Sequence, residues 1–282
     1  MIGRNGPLWA VLIALLLLPA PAAADRSLDG VDSWAPALGS GMLEGDYRTR
    51  FAPFDLIVVD GEEATRAQVA ALRRDGKIVL GYLSIGTIES YRSWYRAARR
   101  YRLDLWGDWG EWYADVRAPG FRRLIVRKVA PRIRRKGFDG LFLDNVDMVE
   151  SHPRRKRGMR LLVRSLARSR DDVLMAQNGE DSIGPVLRYL DAWNREDVTS
   201  TYDFDRRRYV RVPAADTRSA QNALRRIKSR GLLVTSIDYT DDGNVEREAV
   251  ANSCAAGAVP FVSNIELTRI PTTPFRCTVT QG

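Results

Sequence analysis

Gly137-Phe138-Asp139-Gly140-Leu141-Phe142-Leu143-Asp144-Asn145-Val146-Asp147 carries an apolar run straight into three polar residues, two of them carboxylates. Leu141, Phe142 and Leu143 follow Gly140 without interruption, which predicts a strand covered on both faces in a parallel sheet. The preceding basic segment places Leu124, Ile125, Val129 and Ile133 at helical spacing and stops at Gly137. The local unit is therefore helix, short loop, strand, acid.

The same alternation runs along the chain. Apolar runs predict eight strands, at 34–38, 55–60, 78–85, 140–145, 173–178, 190–196, 232–238 and 259–264. Between them, helical spacing predicts helices at 64–75, 121–136, 154–168, 182–189, 217–230 and 243–256, with a weaker one near 42–51. Eight strands alternating with helices, without a Gly-rich phosphate loop, predict a single-domain (β/α)8 TIM barrel rather than an open doubly wound sheet. Residues 89–117, with Trp94, Trp106, Trp109 and Trp112, are expected to form an elaborated loop after the third strand.

Arg4, an apolar stretch over 8–18, Pro19 and Ala22-Ala23-Ala24 have the layout of a secretory signal peptide. Residues 1–24 are expected to be removed before Asp25, leaving a barrel over 25–282 and a periplasmic or extracellular protein. The apolar core is about half of the roughly 20 residues a membrane span needs, so no membrane insertion is expected after cleavage. Cys254 and Cys277 are the two cysteines, and in an oxidising compartment they could pin the C-terminal tail to the last helix. The formal charge of +9 sits largely in arginines of helical segments. No nucleic-acid motif accompanies it, so solvated helix faces are expected and a nucleic-acid partner is not, while an anionic cell-surface partner stays open.

In a barrel of this kind the chemistry is read at the strand ends. These supply Asp60, Ser84 with Glu89, Asp144 with Asn145 and Asp147, Asn178 with Glu180, Glu196, Asp238 with Tyr239, and Asn264. His152 is the sole histidine and is expected to be an exposed loop residue, which disfavours a Ser-His-Asp triad and a His-based zinc site. No metal or other cofactor is expected. Carboxylates without histidine, in a cleft lined by Trp and Tyr, suit glycosidic bond cleavage, in which one carboxyl protonates the leaving oxygen and the other works ionised. Asp139, Glu150 and Asp241 are instead expected to form ion pairs with arginines.

The segments Gly81-Tyr82-Leu83-Ser84-Ile85-Gly86 through Glu89-Ser90-Tyr91-Arg92, Gly137-Phe138-Asp139-Gly140 through Asp144-Asn145-Val146-Asp147, Gln177-Asn178-Gly179-Glu180 and Asp238-Tyr239 resemble the endo-α-1,4-polygalactosaminidases of glycoside hydrolase family 114, and related bacterial and archaeal glycosidase barrels. The resemblance runs from about residue 34 to 270. It implies a hydrolase in which Asp144 is nucleophile or charge stabiliser and Glu196 the general acid. It further implies that Asp60, Tyr82, Glu89, Asn145, Asn178, Asp238 and Tyr239 line a sugar cleft. The expected partner is an amino-sugar-containing or other surface polysaccharide. A non-catalytic carbohydrate-binding barrel and a basic envelope docking protein are the alternatives.

Overall fold

The computed structural model describes residues 28–168 and 172–277, so the expected leader, 1–24, lies outside the described residues. Eight parallel strands lie in chain order: β1 (Trp34–Ala37), β2 (Leu56–Asp60), β3 (Ile78–Ser84), β4 (Gly140–Asp144), β5 (Val173–Gln177), β6 (Ala192–Glu196), β7 (Leu233–Tyr239) and β8 (Val259–Ser263). β8 returns beside β1, so the sheet forms a nearly closed barrel with helices between successive strands. The predicted (β/α)8 class is the observed one.

β4 shows why the opening stretch decides the fold. Gly140 through Leu143 are buried and Asp144 is half-buried at the mouth. A Cβ on Gly140 would stand 2.0 Å from the Val173 carbonyl oxygen, so only glycine lets β5 approach there. Inside the barrel Phe142 lies 6.4 Å from both Trp34 and Tyr82, centroid to centroid, and Trp34 meets Phe261 edge-on at 6.2 Å. Each such ring contributes about 1.5–3 kcal/mol through burial alone, which fixes strand register at the level of the site.

The outer helices are amphipathic. Helix Arg66–Arg74 starts at a capping box in which Thr65 and Gln68 satisfy each other's backbone N–H, and it buries Val69, Ala71 and Leu72. Helix Lys156–Ala167 buries Met159, Leu162, Val163 and Leu166 against the sheet. The disulfide Cys254–Cys277 joins helix Gly243–Ala255 to the C-terminal tail, with Cα atoms 5.4 Å apart. No helix of the described residues is long and apolar enough to cross a membrane.

Two insertions at the mouth differ from the sequence expectation. The segment expected as a loop holds two strands, Arg102–Trp106 and Glu111–Ala114, which join Thr87–Ile88 in a three-stranded antiparallel sheet. After β6, Ser200–Asp203 and Arg208–Arg211 form an antiparallel hairpin. Both insertions are mostly half-exposed, so neither presents the continuous apolar run that marks a barrel strand. His152 also departs from expectation. Its ring packs 4.6 Å from Tyr113 and its Nε2 lies 2.9 Å from Asp104, so it ties the inserted sheet to the barrel rather than standing free in a loop.

Candidate active site

The carboxyl ends of the strands open into a cavity of about 350 Å³. The chain turns sharply as it leaves three adjacent strands: Asn145, Asn178 and Asp197, each directly after its strand, have φ of 58°, 56° and 56°. Asn and Asp are the side-chain-bearing residues that best tolerate this left-handed conformation. The loop after β3 presses against the turn after β4 so closely that a Cβ on Gly86 would meet the Asn145 carbonyl oxygen at 1.8 Å. The turns are thus fixed by packing on both sides.

Asp144 is saturated with donors. Its Oδ1 accepts from the Asn145 backbone N–H at 2.7 Å and Gln177 Nε2 at 2.9 Å; its Oδ2 accepts from the Tyr82 hydroxyl at 2.6 Å and Asn145 Nδ2 at 3.1 Å. Gln177 is itself oriented by Asn194, whose Nδ2 donates to Gln177 Oε1 at 2.9 Å, and Asn194 accepts from Thr235 at 2.8 Å. A polar chain therefore crosses the barrel interior from β4 to β7. Burial pushes the Asp144 carboxyl up to about 6, the Glu196 charge adds to this, and the donors oppose it.

Glu196 has fewer donors. Its Oε1 accepts from the Tyr239 hydroxyl and its Oε2 from Asn178 Nδ2 at 2.8 Å. Burial first, then the adjacent Asp197 charge, raise its carboxyl to about 7. The two groups sense each other electrostatically and line one cavity. The environment thus orders them: Asp144 is the carboxylate with more hydrogen-bond donors, and Glu196 is the one that keeps its proton to higher pH.

Asp60 and Glu89 line the cavity but are already engaged. Arg92, buried, donates Nη1 to Asp60 at 2.5 Å and forks onto Glu89 through Nε at 2.5 Å and Nη2 at 2.6 Å. Among the described residues, Arg92 is the single basic side chain of the lining, against the carboxylates of Asp60, Glu89, Glu111, Asp144, Asp147, Glu196, Asp197 and Glu266. Burial pushes Glu111 up to about 7 and Asp147 up to about 8, with neighbouring carboxylates adding to both.

Of the residues singled out from sequence, Asp60, Tyr82, Glu89, Asp144, Asn145, Asn178, Glu196 and Tyr239 come together in this cavity. Asp238 does not. Side chains alternate along β7, so with Tyr239 facing the cavity Asp238 points the other way, where its Oδ1 accepts the backbone N–H of Thr199 at 2.6 Å and of Ser200 at 2.8 Å. It anchors the start of the hairpin and lies outside the cavity lining. Glu180 is likewise drawn off, to Arg195 at 3.0 Å. Asp139 forms the ion pair expected of it, with Arg73 at 2.9 Å.

Sequence reasoning missed Glu111, Gln177 and Phe204. Gln177 was within reach, since it closes β5 one residue before Asn178. Glu111 and Phe204 arrive on the two insertions, and no pattern in the chain announces them. Trp109 and Phe204 meet edge-on at 5.2 Å, so the insertions after β3 and β6 touch at the cavity rim.

The model of glycoside-hydrolase family GH114 matches residues 19–277. The glycoside hydrolase domain of PelA from Pseudomonas aeruginosa superposes with a TM-score of 0.73 at 23% identity, covering 84% of this chain and 96% of that one. Ega3 of Aspergillus fumigatus, solved in complex with galactosamine, superposes with a TM-score of 0.69 at 18% identity over 92% of this chain and 99% of that one. An uncharacterized protein of Deinococcus radiodurans is 24% identical over 275 residues, 89% of this chain and 86% of the relative.

Proposed function

The chain belongs to glycoside hydrolase family GH114, and on that premise we propose that it hydrolyses α-1,4-linked galactosamine within a partly deacetylated, cationic surface polysaccharide. The observation that carries this reading is the charge of the cavity. Eight carboxyl groups face it and the one arginine among them is spent on Asp60 and Glu89, which leaves Glu111, Asp144, Asp147, Glu196, Asp197 and Glu266 without a basic partner in the lining. Burial holds a proton on Asp147 at neutral pH and, in part, on Glu111 and Glu196, so the remaining carboxylates carry the negative charge. An ammonium-bearing sugar is the complementary ligand. A protein of +9 overall charge can take a cationic polymer because that acidic field is enclosed by low-dielectric walls.

In the proposed mechanism Glu196 protonates the leaving glycosidic oxygen, and Asp144, held ionised by four donors, is the nucleophile or the stabiliser of the oxocarbenium-like transition state. Tyr239 and Asn178 aim the acid; Tyr82, Asn145 and Gln177 aim the Asp144 carboxylate. Trp106 and Trp109 at the rim, with Tyr91, offer ring faces for sugar stacking. Residues 1–24 act as an export leader in this reading, and the Cys254–Cys277 bridge suits an oxidising compartment.

Incubation with deacetylated α-1,4-galactosamine polymer, its fully N-acetylated counterpart and neutral glucans, followed by mass spectrometry, tests the proposal. Oligomers released from the cationic polymer and not from glucans are expected. Binding to that polymer with no product would instead favour the non-catalytic carbohydrate-binding barrel.

A further inference from the structure

The charge of this protein is divided between faces. Residues 116–138 and 151–168 hold 16 of the 44 basic residues and no Asp or Glu, leaving 28 basic against 35 acidic residues elsewhere. These two segments build neighbouring elements of the outer ring: the helical stretch from Pro119 to Arg134, and helix Lys156–Ala167, which packs against it. Arg127, Lys128 and Arg132 stand exposed on the first, and Arg157, Arg160 and Arg164 on the second.

What separates this flank from the other helix faces is its density of basic residues with no acidic residue interleaved, whereas helix Ala214–Lys228 carries Asp216. None of the six has a described carboxylate within ion-pairing distance. Some exposed arginines elsewhere do have one: Arg48 meets Asp75 at 2.5 Å and Arg206 meets Asp203 at 2.9 Å. At the edges of the flank the pairs resume, Arg134 with Asp172 at 2.5 Å and Arg155 with Asp115 at 3.5 Å. Leu161 lies one turn from Arg157 and from Arg164 and is 37% exposed. An apolar side chain framed by arginine stems fits the boundary between headgroups and acyl chains, whereas a soluble polyanion has no use for it.

We propose that this two-helix flank docks the barrel on a membrane surface rich in anionic phospholipid. The cationic polymer proposed as substrate would be repelled by it, so the flank is no extension of the cleft. Because the helices lie on the side of the barrel and the cavity opens at the strand ends, a docked molecule keeps its mouth open to polymer held at the same surface.

Vesicle co-sedimentation of the protein tests this. The wild type should bind vesicles of phosphatidylcholine mixed with phosphatidylglycerol, release as salt shortens the screening length, and ignore phosphatidylcholine alone. The triple variant R157E/R160E/R164E should lose about 100-fold in partitioning with an unchanged melting temperature. R218E/R225E/R226E, which makes the same charge change on another exposed helix, should bind like wild type. Absence of wild-type binding, equal losses in the two variants, or capture by soluble heparin without vesicle binding would each overturn the proposal. If R157E/R160E/R164E fails to fold, the single variant Leu161→Asp gives the same reading, with weakened vesicle binding expected and unchanged binding contradicting it.

Discussion

Asn178 holds Glu196 at two points: its Nδ2 donates to Oε2 at 2.8 Å and its Oδ1 accepts the Glu196 backbone N–H at 2.9 Å. The left-handed turn at Asn178 makes this double grip possible. Asn178→Ala removes it and leaves the acid held by Tyr239 alone. We predict a loss of about 10- to 100-fold in kcat from misplacement of the proton donor. Because a donor to the charged form is lost, the alkaline limb of the kcat–pH profile moves upward; an unmoved limb would place the effect elsewhere.

The paired environments predict a narrow bell-shaped pH dependence. Activity needs Asp144 ionised and Glu196 protonated, so it should rise through about 6 and fall through about 7. Tyr82→Phe deletes a donor to the Asp144 carboxylate, which raises that pKa and shifts the acid limb upward. kcat/KM profiles of the two proteins check both the width and the direction.

Asp147 receives no side-chain hydrogen bond from another described residue and is pushed up to about 8, chiefly by burial. Its ordinary value unfolded is about 3.9. Between those values the folded state keeps a proton that the unfolded chain has lost, so its contribution to stability is fullest below the window and falls as pH rises through it. Asp147→Asn should therefore gain melting temperature relative to wild type at pH above the folded value, and little at acid pH. Thermal melts across the window measure the difference. An equal gain at both ends would refute the linkage.

The Cys254–Cys277 bridge closes a separation of 23 residues, and next to it Arg276 pairs with Asp32 and donates to the Pro53 carbonyl at 3.2 Å. The tail is thereby sealed over the start of β1. Replacing both cysteines by serine should cost about 3 kcal/mol of unfolding free energy. Denaturant titration reads this directly, and activity per folded molecule should not change.

The eight barrel strands were legible to within one or two residues because parallel strands covered on both faces are continuous apolar runs, as Leu141-Phe142-Leu143 shows. Of the nine residues named from the strand ends and the family resemblance, eight line the cavity. The strand-end rule failed at Asp238 because it ranks polar residues by position and ignores the alternation that sends Asp238 and Tyr239 to opposite sides. Glu111 and Phe204 stayed hidden for another reason: Glu111 opens a short, half-exposed strand of the inserted three-stranded sheet and Phe204 sits in the turn of the hairpin after β6, so tertiary context rather than pattern places them. The charge of the cavity was legible only as a list of strand-end acids; that Arg92 neutralises two of them is a fact of the fold.

We propose Glu196 as the general acid and Asp144 as the nucleophile or charge stabiliser of a hydrolase acting on cationic polymer. The most direct test of these roles is the rate of reducing-end release from deacetylated α-1,4-galactosamine polymer by wild type, Glu196→Gln and Asp144→Asn, each checked for an unchanged melting profile. Steady release by wild type, with a fall of about 10³-fold or more in each variant and polymer binding retained, is the predicted result. Release by folded Glu196→Gln or Asp144→Asn at a rate within tenfold of wild type would contradict it.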